Sequence, residues 1–271
     1  MRILSLGAGV QSSTLILLSE RGLLPRLDAA IFADTRYEPR AVYHHVRWLR
    51  RQTTIPILIV SRGNLRKDAE AQIAGGRLSG DSAIGRFASM PLFTKSPEGD
   101  LGMVRRQCTK HYKLEPIRKK VRELLGLEPG ERAGDRQLEQ WIGISLDEMH
   151  RVRESRDYWI RLRYPLIFDL QPPWRRSDCV AWLRREYPDH VVPRSACIVC
   201  PFHSDAEWRR MRDEDPESWA EALRFDAAIR RPAGMRAECF LHAARVPLAE
   251  APIDDVAPTQ QSLFSCGVCD T

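Results

Sequence analysis

The stretch RILSLGAGVQSSTLILLSERG, residues 2–22, decides the fold. Its first five residues are an apolar run with a β-branched member, which is typical of a buried strand. From Val10 onward the apolar residues follow a helical pattern, and Gly22 is expected to end that helix. The small residues Gly7 to Gly9 lie between the two elements. A strand, a tight turn and a helix in direct succession predict the first β–α unit of an α/β domain.

The turn between this strand and helix has the composition of an anion-binding site. Small residues let backbone N–H groups approach phosphate oxygens, and the N-terminus of the helix adds its partial positive charge. Ser12 and Ser13 add hydroxyl donors. The turn is not a Walker loop, since no Gly-Lys-Ser/Thr follows, and Ser12 stands where G-x-G-x-x-G has its third glycine. An ordinary turn without a ligand is the alternative interpretation.

Further apolar segments continue the alternation of strands and helices. They predict strands over 28–34, 55–61 and 138–145 and a helix over 39–52 that has Pro39 in its first turn. This order predicts a Rossmann-like parallel sheet with helices on both faces, which we assign to a nucleotide-binding domain over 1–170. Residues 75–106 are predicted to form a loop and 163–170 an extended segment.

Residues 171–271 are predicted to form a smaller helical and irregular region. A helix is expected from Ser177 or Asp178, its N-cap, to about residue 188, and an irregular tail from Pro247. The region carries a Cys-x-x-Cys motif at Cys197 and Cys200.

Composition limits the class of protein. The 271 residues are 43% hydrophobic and 29% charged, typical of a globular protein. No apolar run approaches the roughly 18 residues of a membrane span, and the N-terminus does not resemble a signal peptide, so we expect a cytoplasmic chain without membrane contact. The net charge is +6 and the cations are mostly arginine. Arginine suits phosphate groups, so we expect an anionic ligand or nucleic acid, with a solvated arginine-rich surface as the alternative.

Seven cysteines in such a chain favour metal, cluster or redox chemistry over disulfides. Cys197 and Cys200 lie on one short turn that can chelate a single metal ion or two irons of one cluster. Zinc, or a reduced dithiol without metal, remains an alternative. Cys179 and Cys239 lie in apolar patterns and are predicted to be buried as small hydrophobic residues.

Several segments, in chain order, resemble the PP-loop ATP pyrophosphatase, or adenine nucleotide α-hydrolase, superfamily, in its phosphoadenylyl-sulfate reductase-like branch. They are GAGVQS (7–12), ADTRYEP (33–39), RRQCTKHYKLEP (105–116), WIGISLDEMHRVR (141–153) and SACIVCPF (195–202). The chain departs from the family pattern where Gly7, Ala8 and Gln11 replace Ser, Gly and Asp. It also has Arg36 in place of Gly and Ser145 in place of Arg.

The resemblance implies a HUP-type fold and a set of ligands. ATP would place its triphosphate over residues 7–13 and its adenine near 32–35, with Mg²⁺ and basic residues neutralising the phosphates. A [4Fe-4S] cluster would be bound by Cys108, Cys197, Cys200 and, in the four-ligand alternative, Cys266. Catalytic roles are expected for Cys108, Cys266 and Asp34. The nucleotide-binding residues are expected to be Gly7, Ala8, Gly9, Gln11, Ser12, Ser13, Asp34, Thr35, Arg106, Lys113, Gly143 and Arg151.

The implied activity is ATP-dependent sulfur transfer. The acceptor oxygen is adenylated with release of pyrophosphate, and sulfur from a donor then displaces AMP; a nucleobase in tRNA or DNA is one acceptor, a small molecule another. A sulfonucleotide reductase, which would act with a thiol reductant on adenylyl sulfate, and a non-catalytic nucleotide-binding protein are the alternatives. The sequence leaves the oligomeric state open, with a homodimer among the alternatives.

Overall fold

The central feature of the fold is a five-stranded parallel sheet. In a computed structural model, which describes residues 1–74 and 90–255, its strand order is β3-β2-β1-β6-β7. The register pairs Ile3 of β1 with Ala29 of β2 on one side and with Gln140 of β6 on the other. The strands are β1 (Arg2–Leu6), β2 (Ala29–Ala33), β3 (Ile57–Val60), β6 (Leu138–Trp141) and β7 (Ile160–Arg163).

Helices cover both faces of this sheet. On one face lie α1 (Val10–Glu20), α2 (Arg40–Gln52) and α6 (Arg176–Glu186), which share a buried apolar cluster with β1 and β2. On the other face α4 (Glu115–Leu124) packs Ile117 and Val121 against the sheet. Because α1 is covered by the sheet and by α6, ten of its eleven residues are buried. The α/β class and the parallel sheet predicted from the sequence are confirmed.

A second, smaller sheet brings together two distant parts of the chain. It is antiparallel, with the strand order β5-β4-β8, and it combines β4 (Phe93–Lys95), β5 (Leu101–Met103) and β8 (Glu238–Phe240). The prediction of a loop over 75–106 is therefore wrong at β4 and β5, while residues 75–89 lie outside the described residues. Strands of three residues are too short to show a period of two. Phe93 of β4 pairs with Met103 on one side and with Phe240, far along the chain, on the other.

The remaining helices build a second apolar cluster beside this small sheet. It contains Trp208, Phe225 and Cys239 together with Tyr37 and Tyr112, which lie near the main sheet. The helices of this cluster are α3 (Leu65–Ile73), α7 (Asp205–Glu214) and α8 (Pro216–Ala228), with a π-helical turn over Thr109–Leu114 and a 3₁₀ turn over Leu248–Glu250. The short helix α5 (Pro165–Phe168) and a 3₁₀ turn over Leu146–Arg151 pack elsewhere, beside the main sheet. The boundary after residue 170 stays a prediction.

Two local expectations need correction. The segment 163–170 is not extended throughout, because after β7 the chain forms the one-turn helix α5, whose first residue is Pro165; proline is favoured there since its N–H would have no helical partner. The N-cap of α6 is Arg175, and Asp178 instead accepts a hydrogen bond from the Arg175 N–H at 2.7 Å. No helix within 1–74 and 90–255 is long and apolar enough to cross a membrane.

Candidate functional site: a glycine turn and a thiol cavity

The glycine turn after β1 lies where the strand order of the main sheet reverses. From β1 the chain proceeds to β2 and β3 on one side, whereas β6 and β7 lie on the other. In open parallel sheets, ligands bind in the crevice beyond the carboxyl ends of the strands at such a point. Gly143, directly beyond β6, packs against the turn so tightly that a Cβ there would lie 2.8 Å from the Ser12 nitrogen. The structure thus brings Gly143 to the predicted nucleotide turn.

The turn presents backbone rather than side chains to this crevice. Ala8 adopts a left-handed conformation with φ of 57°, and Gly9 is the N-cap of α1. The first backbone bond of the helix runs from the Ser13 N–H to the Gly9 carbonyl at 3.0 Å. Gly9 has no side chain that could cap the N–H groups of the residues that follow it. The first turn of α1 therefore retains the donors and the partial positive charge that attract an anion.

Gln11 is held by an acidic residue rather than by solvent. Its side-chain amide donates to Glu148 Oε2 at 2.9 Å and to Ser145 Oγ at 3.4 Å. Arg151 donates to the other oxygen of Glu148 at 2.5 Å. An aspartate at position 11, as in the family pattern, would place a second carboxylate against Glu148. The departure at Gln11 therefore has a local electrostatic reason, and the structure brings Arg151 to the turn through Glu148.

The two serines of the turn direct their hydroxyls into the protein. Ser12 Oγ donates to the Gly9 carbonyl at 3.3 Å, and Ser13 Oγ lies 2.7 Å from Nε2 of His45. Ser13 is 0% exposed. In this conformation the backbone of residues 9–12, rather than the Ser13 hydroxyl, is the part of the turn that can face a ligand.

A small, partly open cavity lies next to the turn and is lined by three thiols. Cys108 enters it immediately before the π-helical turn that leads into α4, and Cys197 and Cys200 enter from the segment after α6. The structure thus brings together the three cysteines predicted as cluster ligands. Other residues in its wall are Thr35, Leu65, Met90, Pro91, Arg106, Thr109, Lys113, Ala196, Pro201 and Phe202.

The Cys-x-x-Cys segment is attached to the ends of β1 and β2. Ser195 donates from Oγ to the Gly7 carbonyl, and its Cβ lies 3.1 Å from the position that a Cβ on Gly9 would take. The Ile198 N–H donates to the Tyr37 carbonyl at 3.0 Å. Cys197 Sγ lies 3.3 Å from Thr35 Oγ1. One short segment therefore joins the glycine turn to the thiol cavity.

A buried carboxylate, Glu38, lies directly beside the Cys197 thiol. Its Oε1 is 3.6 Å from Cys197 Sγ, 3.1 Å from Thr35 Oγ1 and 3.9 Å from Lys113 Nζ, and the residue is 5% exposed. Burial raises the pKa of Cys197 well above its usual value; the Glu38 charge raises it further, while Lys113 opposes the shift. Glu38 was not among the residues predicted from the sequence to form the site. Its signal was its position in ADTRYEP, one of the segments that resemble the PP-loop superfamily.

The cavity also contains two cations. Arg106 donates to Thr109 Oγ1 at 2.6 Å, and its guanidinium lies 5.4 Å from the centre of the Phe202 ring. Lys113 faces Glu38, as described above. Arg106 and Lys113 thus lie beside the thiols, as the sequence predicted. Their charged groups are directed at Thr109 and Glu38, and the surface that the cavity presents is almost entirely apolar.

Asp34 forms hydrogen bonds with residues near it in the sequence. Its Oδ1 accepts hydrogen bonds from the Arg36 N–H at 2.7 Å and from the Tyr43 hydroxyl at 2.9 Å. These bonds shape the turn in which Arg36 has a positive φ of 57°. The carboxylate does not line the thiol cavity. Its neighbour Thr35 does, while a catalytic or nucleotide role for Asp34 stays a prediction.

The thiols are not already arranged around a single metal ion. Within the part of the chain that the structure describes, no three His, Cys, Asp or Glu side chains are close enough together to hold one ion. Cys179 and Cys239 are fully buried away from the cavity, as predicted. Cys266 lies outside the described residues, so its predicted ligand and catalytic roles stay predictions.

Comparison with known proteins does not show a family for this chain. No protein-family model matches the chain. Over 116 residues the chain is 25% identical to a 4-diphosphocytidyl-2-C-methyl-D-erythritol kinase of Alkalilimnicola ehrlichii, a match that covers 40% of this chain. The chain spans 37% of the length of that protein. A similarity this distant and partial does not show a shared family, so the resemblance to PP-loop enzymes rests on the residues of the chain itself.

Proposed function

We propose that this protein is a PP-loop enzyme that transfers sulfur at the expense of ATP and uses a thiol-bound [4Fe-4S] cluster. The observation that carries the proposal is that Cys108 and the pair Cys197 and Cys200, from distant parts of the sequence, line one cavity. That cavity shares Thr35 with the end of β2 and is joined through Ser195 to the glycine turn. A nucleotide at the turn would therefore lie beside the thiols.

The nucleotide is proposed to bind at the reversal of the strand order, as in a HUP-type fold. Its triphosphate would contact the backbone N–H groups of residues 9–12 and the N-terminus of α1. Mg²⁺, together with Arg106 and Lys113, would neutralise the phosphate charge that grows as pyrophosphate leaves. The placement of Gly143 against Ser12 supports this proposal, since it keeps side chains out of the crevice.

The donor set of three thiols fits an iron–sulfur cluster. A single zinc ion, which takes four ligands at about 2.0–2.3 Å, is the alternative occupant. A four-iron cluster takes one thiolate at each iron, so its ligands stand around a larger volume. Arg106 and Lys113 would offset the negative charge of the thiolates. When bound, such a cluster supplies electron transfer or a place for inorganic sulfur.

The proposed reaction has two displacement steps. The acceptor oxygen attacks the α-phosphorus of ATP, the bond from that phosphorus to the bridging oxygen breaks, and pyrophosphate leaves with the electron pair. Hydrosulfide from a sulfide donor then attacks the acceptor carbon. The carbon–oxygen bond breaks, AMP leaves, and the sulfur loses its proton to water. The chain contributes positioning at the turn and charge stabilisation by its cations.

The acceptor in this proposal is a nucleobase in tRNA or DNA. Arg105 and Lys110 flank Cys108 in the sequence, and both are exposed in the structure. Such exposed cations attract the phosphate backbone of a nucleic acid and would hold it beside the site.

A sulfonucleotide reductase is the second candidate, and one observation favours it. Thr35, Thr109, Arg106 and Lys113 belong to the wall of the same cavity as the thiols. If their side chains turned towards a ligand, their hydroxyl and cationic groups would suit the sulfate group of adenylyl sulfate as well as a phosphate. A non-catalytic nucleotide-binding protein, with its chemistry lost at Gly7 and Gln11, remains the third.

The test is anaerobic purification followed by product analysis. We expect iron and sulfide in the cluster ratio, and AMP with pyrophosphate from ATP in the presence of tRNA or DNA and a sulfide donor. Sulfite from adenylyl sulfate would identify the reductase. Tight ATP binding without turnover in the iron-loaded protein would support the non-catalytic alternative. ADP as the only nucleotide product would indicate phosphoryl transfer, the reaction class named by the kinase match, and would overturn the proposal.

A further inference from the structure

A buried chain of hydrogen bonds leads from the first turn of α1 towards the surface. Ser13 Oγ lies 2.7 Å from Nε2 of His45, and Nδ1 of His45 lies 2.8 Å from Nε2 of His190. His45 is on α2, and His190 follows α6. None of the three residues lines the thiol cavity. The chain is therefore a second polar cluster, behind the glycine turn.

Packing fixes the two imidazole rings in place. The His190 ring stacks on Trp48 with 3.7 Å between ring centres and an angle of 6°, and the His45 ring is stacked with both neighbours. His45 is 1% exposed. Burial, and to a smaller extent the neighbouring His190, lowers the pKa of His45 to about 3. Burial, and to a smaller extent Arg51, also lowers the pKa of His190. Both rings are therefore neutral near pH 7.

The neutral rings leave little freedom to the Ser13 hydroxyl. A neutral imidazole has one donor and one acceptor nitrogen, so each His45 nitrogen is used once, towards Ser13 on one side and His190 on the other. Most other contacts of α1 are apolar and therefore not directional. The bond from Ser13 to His45 on one side, and the bonds from Gln11 to Glu148 and Ser145 on the other, are the directional contacts that orient the first turn of α1.

We propose that His45 is a positioning residue for the nucleotide turn. By holding Ser13 Oγ against α2, it fixes the backbone N–H groups of residues 9–12 in the crevice. The helix α2 begins directly after the loop that carries Thr35 and Glu38, so the same bond aligns the turn with the thiol cavity. This inference rests on the proposed nucleotide site and adds the residue on which its geometry depends.

The first experiment compares His45→Gln with His44→Gln. His44 is the neighbouring exposed histidine on the same helix and serves as the matched control. In the ligand-free protein, we expect faster amide hydrogen exchange over residues 10–13 in His45→Gln only. By calorimetry, ATP should bind about fivefold more weakly to His45→Gln, which is the effect of one ordinary hydrogen bond. Unchanged exchange and affinity would overturn the inference.

A double-mutant cycle with Ser13→Ala tests whether the two residues act through their shared bond. Each single variant should weaken ATP binding about fivefold, and the double variant should be no weaker than either. Multiplied losses would overturn the inference. If His45→Gln does not fold, His190→Phe replaces it, because it keeps the ring stack on Trp48 and removes the nitrogen that orients His45. A wild-type protein that binds no ATP would refute the proposed function, while the exchange data would still decide the role of His45.

Discussion

The glycine turn and the thiol cavity lie side by side, yet they are built in opposite ways. The turn is made of consecutive residues, 7–13, and presents backbone atoms from a buried, tightly packed loop. The cavity is made of side chains from separate segments that only the folded chain brings together. The turn therefore depends on small residues and close approach, whereas the cavity depends on particular side chains. Substitutions at the two places should accordingly fail in different ways.

The cavity gives the largest expected effect. Cys108→Ala, Cys197→Ala and Cys200→Ala should each abolish iron incorporation, because the proposed cluster would lose one of its thiolates in this cavity. Iron and sulfide analysis of anaerobically purified protein, with the brown colour as a quick guide, measures this. Each variant should keep its fold and its affinity for ATP, since the glycine turn is not altered.

Cys179→Ala and Cys239→Ala are the matched controls for this experiment. Both thiols are buried outside the cavity, and burial raises their pKa to about 12 and about 11. These variants should retain full iron content. Normal iron content in all three cavity variants would show that the cavity does not hold a cluster.

His45, which contacts the glycine turn through Ser13, should make the stability of the protein depend on pH. The pKa of His45 is about 3 in the folded protein against 6.5 in the unfolded chain. Between these values the unfolded chain binds more protons, so stability falls as the pH falls. The slope approaches about 1.4 kcal/mol per pH unit for this one group. The lowered pKa of His190 acts in the same direction.

Urea unfolding at several pH values between 7.5 and 5 measures this slope. His45→Gln should flatten the curve, and His44→Gln should leave it unchanged. Parallel curves for the wild type and His45→Gln would show that His45 is not held neutral by its burial.

The same contrast explains what could be predicted from the sequence. The turn, β1 to β3 and their helices were predictable because local spacing and apolar period determine them. That Cys108 lies close to the Cys-x-x-Cys segment in the fold followed only from the resemblance, since no local pattern predicts it. Glu38 and the bond between Ser13 and His45 could not be predicted, because burial next to a particular partner depends on how α2 packs. Strands β4 and β5 were missed because each has only three residues and because β8, which pairs with β4, lies far along the chain.

A more moderate effect is expected from Gly143→Ala and Gly9→Ala. A Cβ on Gly143 would meet backbone at 2.8 Å, whereas a Cβ on Gly9 would meet the Cβ of Ser195 at 3.1 Å. Backbone gives way less easily than a side chain, so Gly143→Ala should lose about 2 kcal/mol of stability and Gly9→Ala about 1 kcal/mol. Chemical denaturation measures both.

A second-site variant sharpens this comparison. Ser195→Gly loses the hydrogen bond to the Gly7 carbonyl but also removes the atom that the new methyl group meets, so in a Ser195→Gly background the further change Gly9→Ala should cost little stability. The same background should not restore Gly143→Ala, whose neighbours belong to Gln11 and Ser12. Equal rescue of both variants would mean that the turn tolerates an added methyl group by a general shift.

The smallest effects concern two residues that replace family glycines, one in the turn and one beside the cavity. Ala8 and Arg36 both have φ of 57°, a conformation that costs a non-glycine residue about 1 kcal/mol or more. Glycine removes that cost and adds up to about 1 kcal/mol of chain entropy to the unfolded state. Ala8 is 0% exposed, so Ala8→Gly also loses a buried methyl group, worth about 0.8 kcal/mol, and should be neutral or slightly destabilising.

Arg36 is exposed, so Arg36→Gly should stabilise by a few tenths of a kcal/mol, and thermal unfolding measures the difference. Arg36→Ala, which removes the side chain but keeps the unfavourable φ, is the control; an equal gain in both would assign the effect to the lost charge rather than to the backbone.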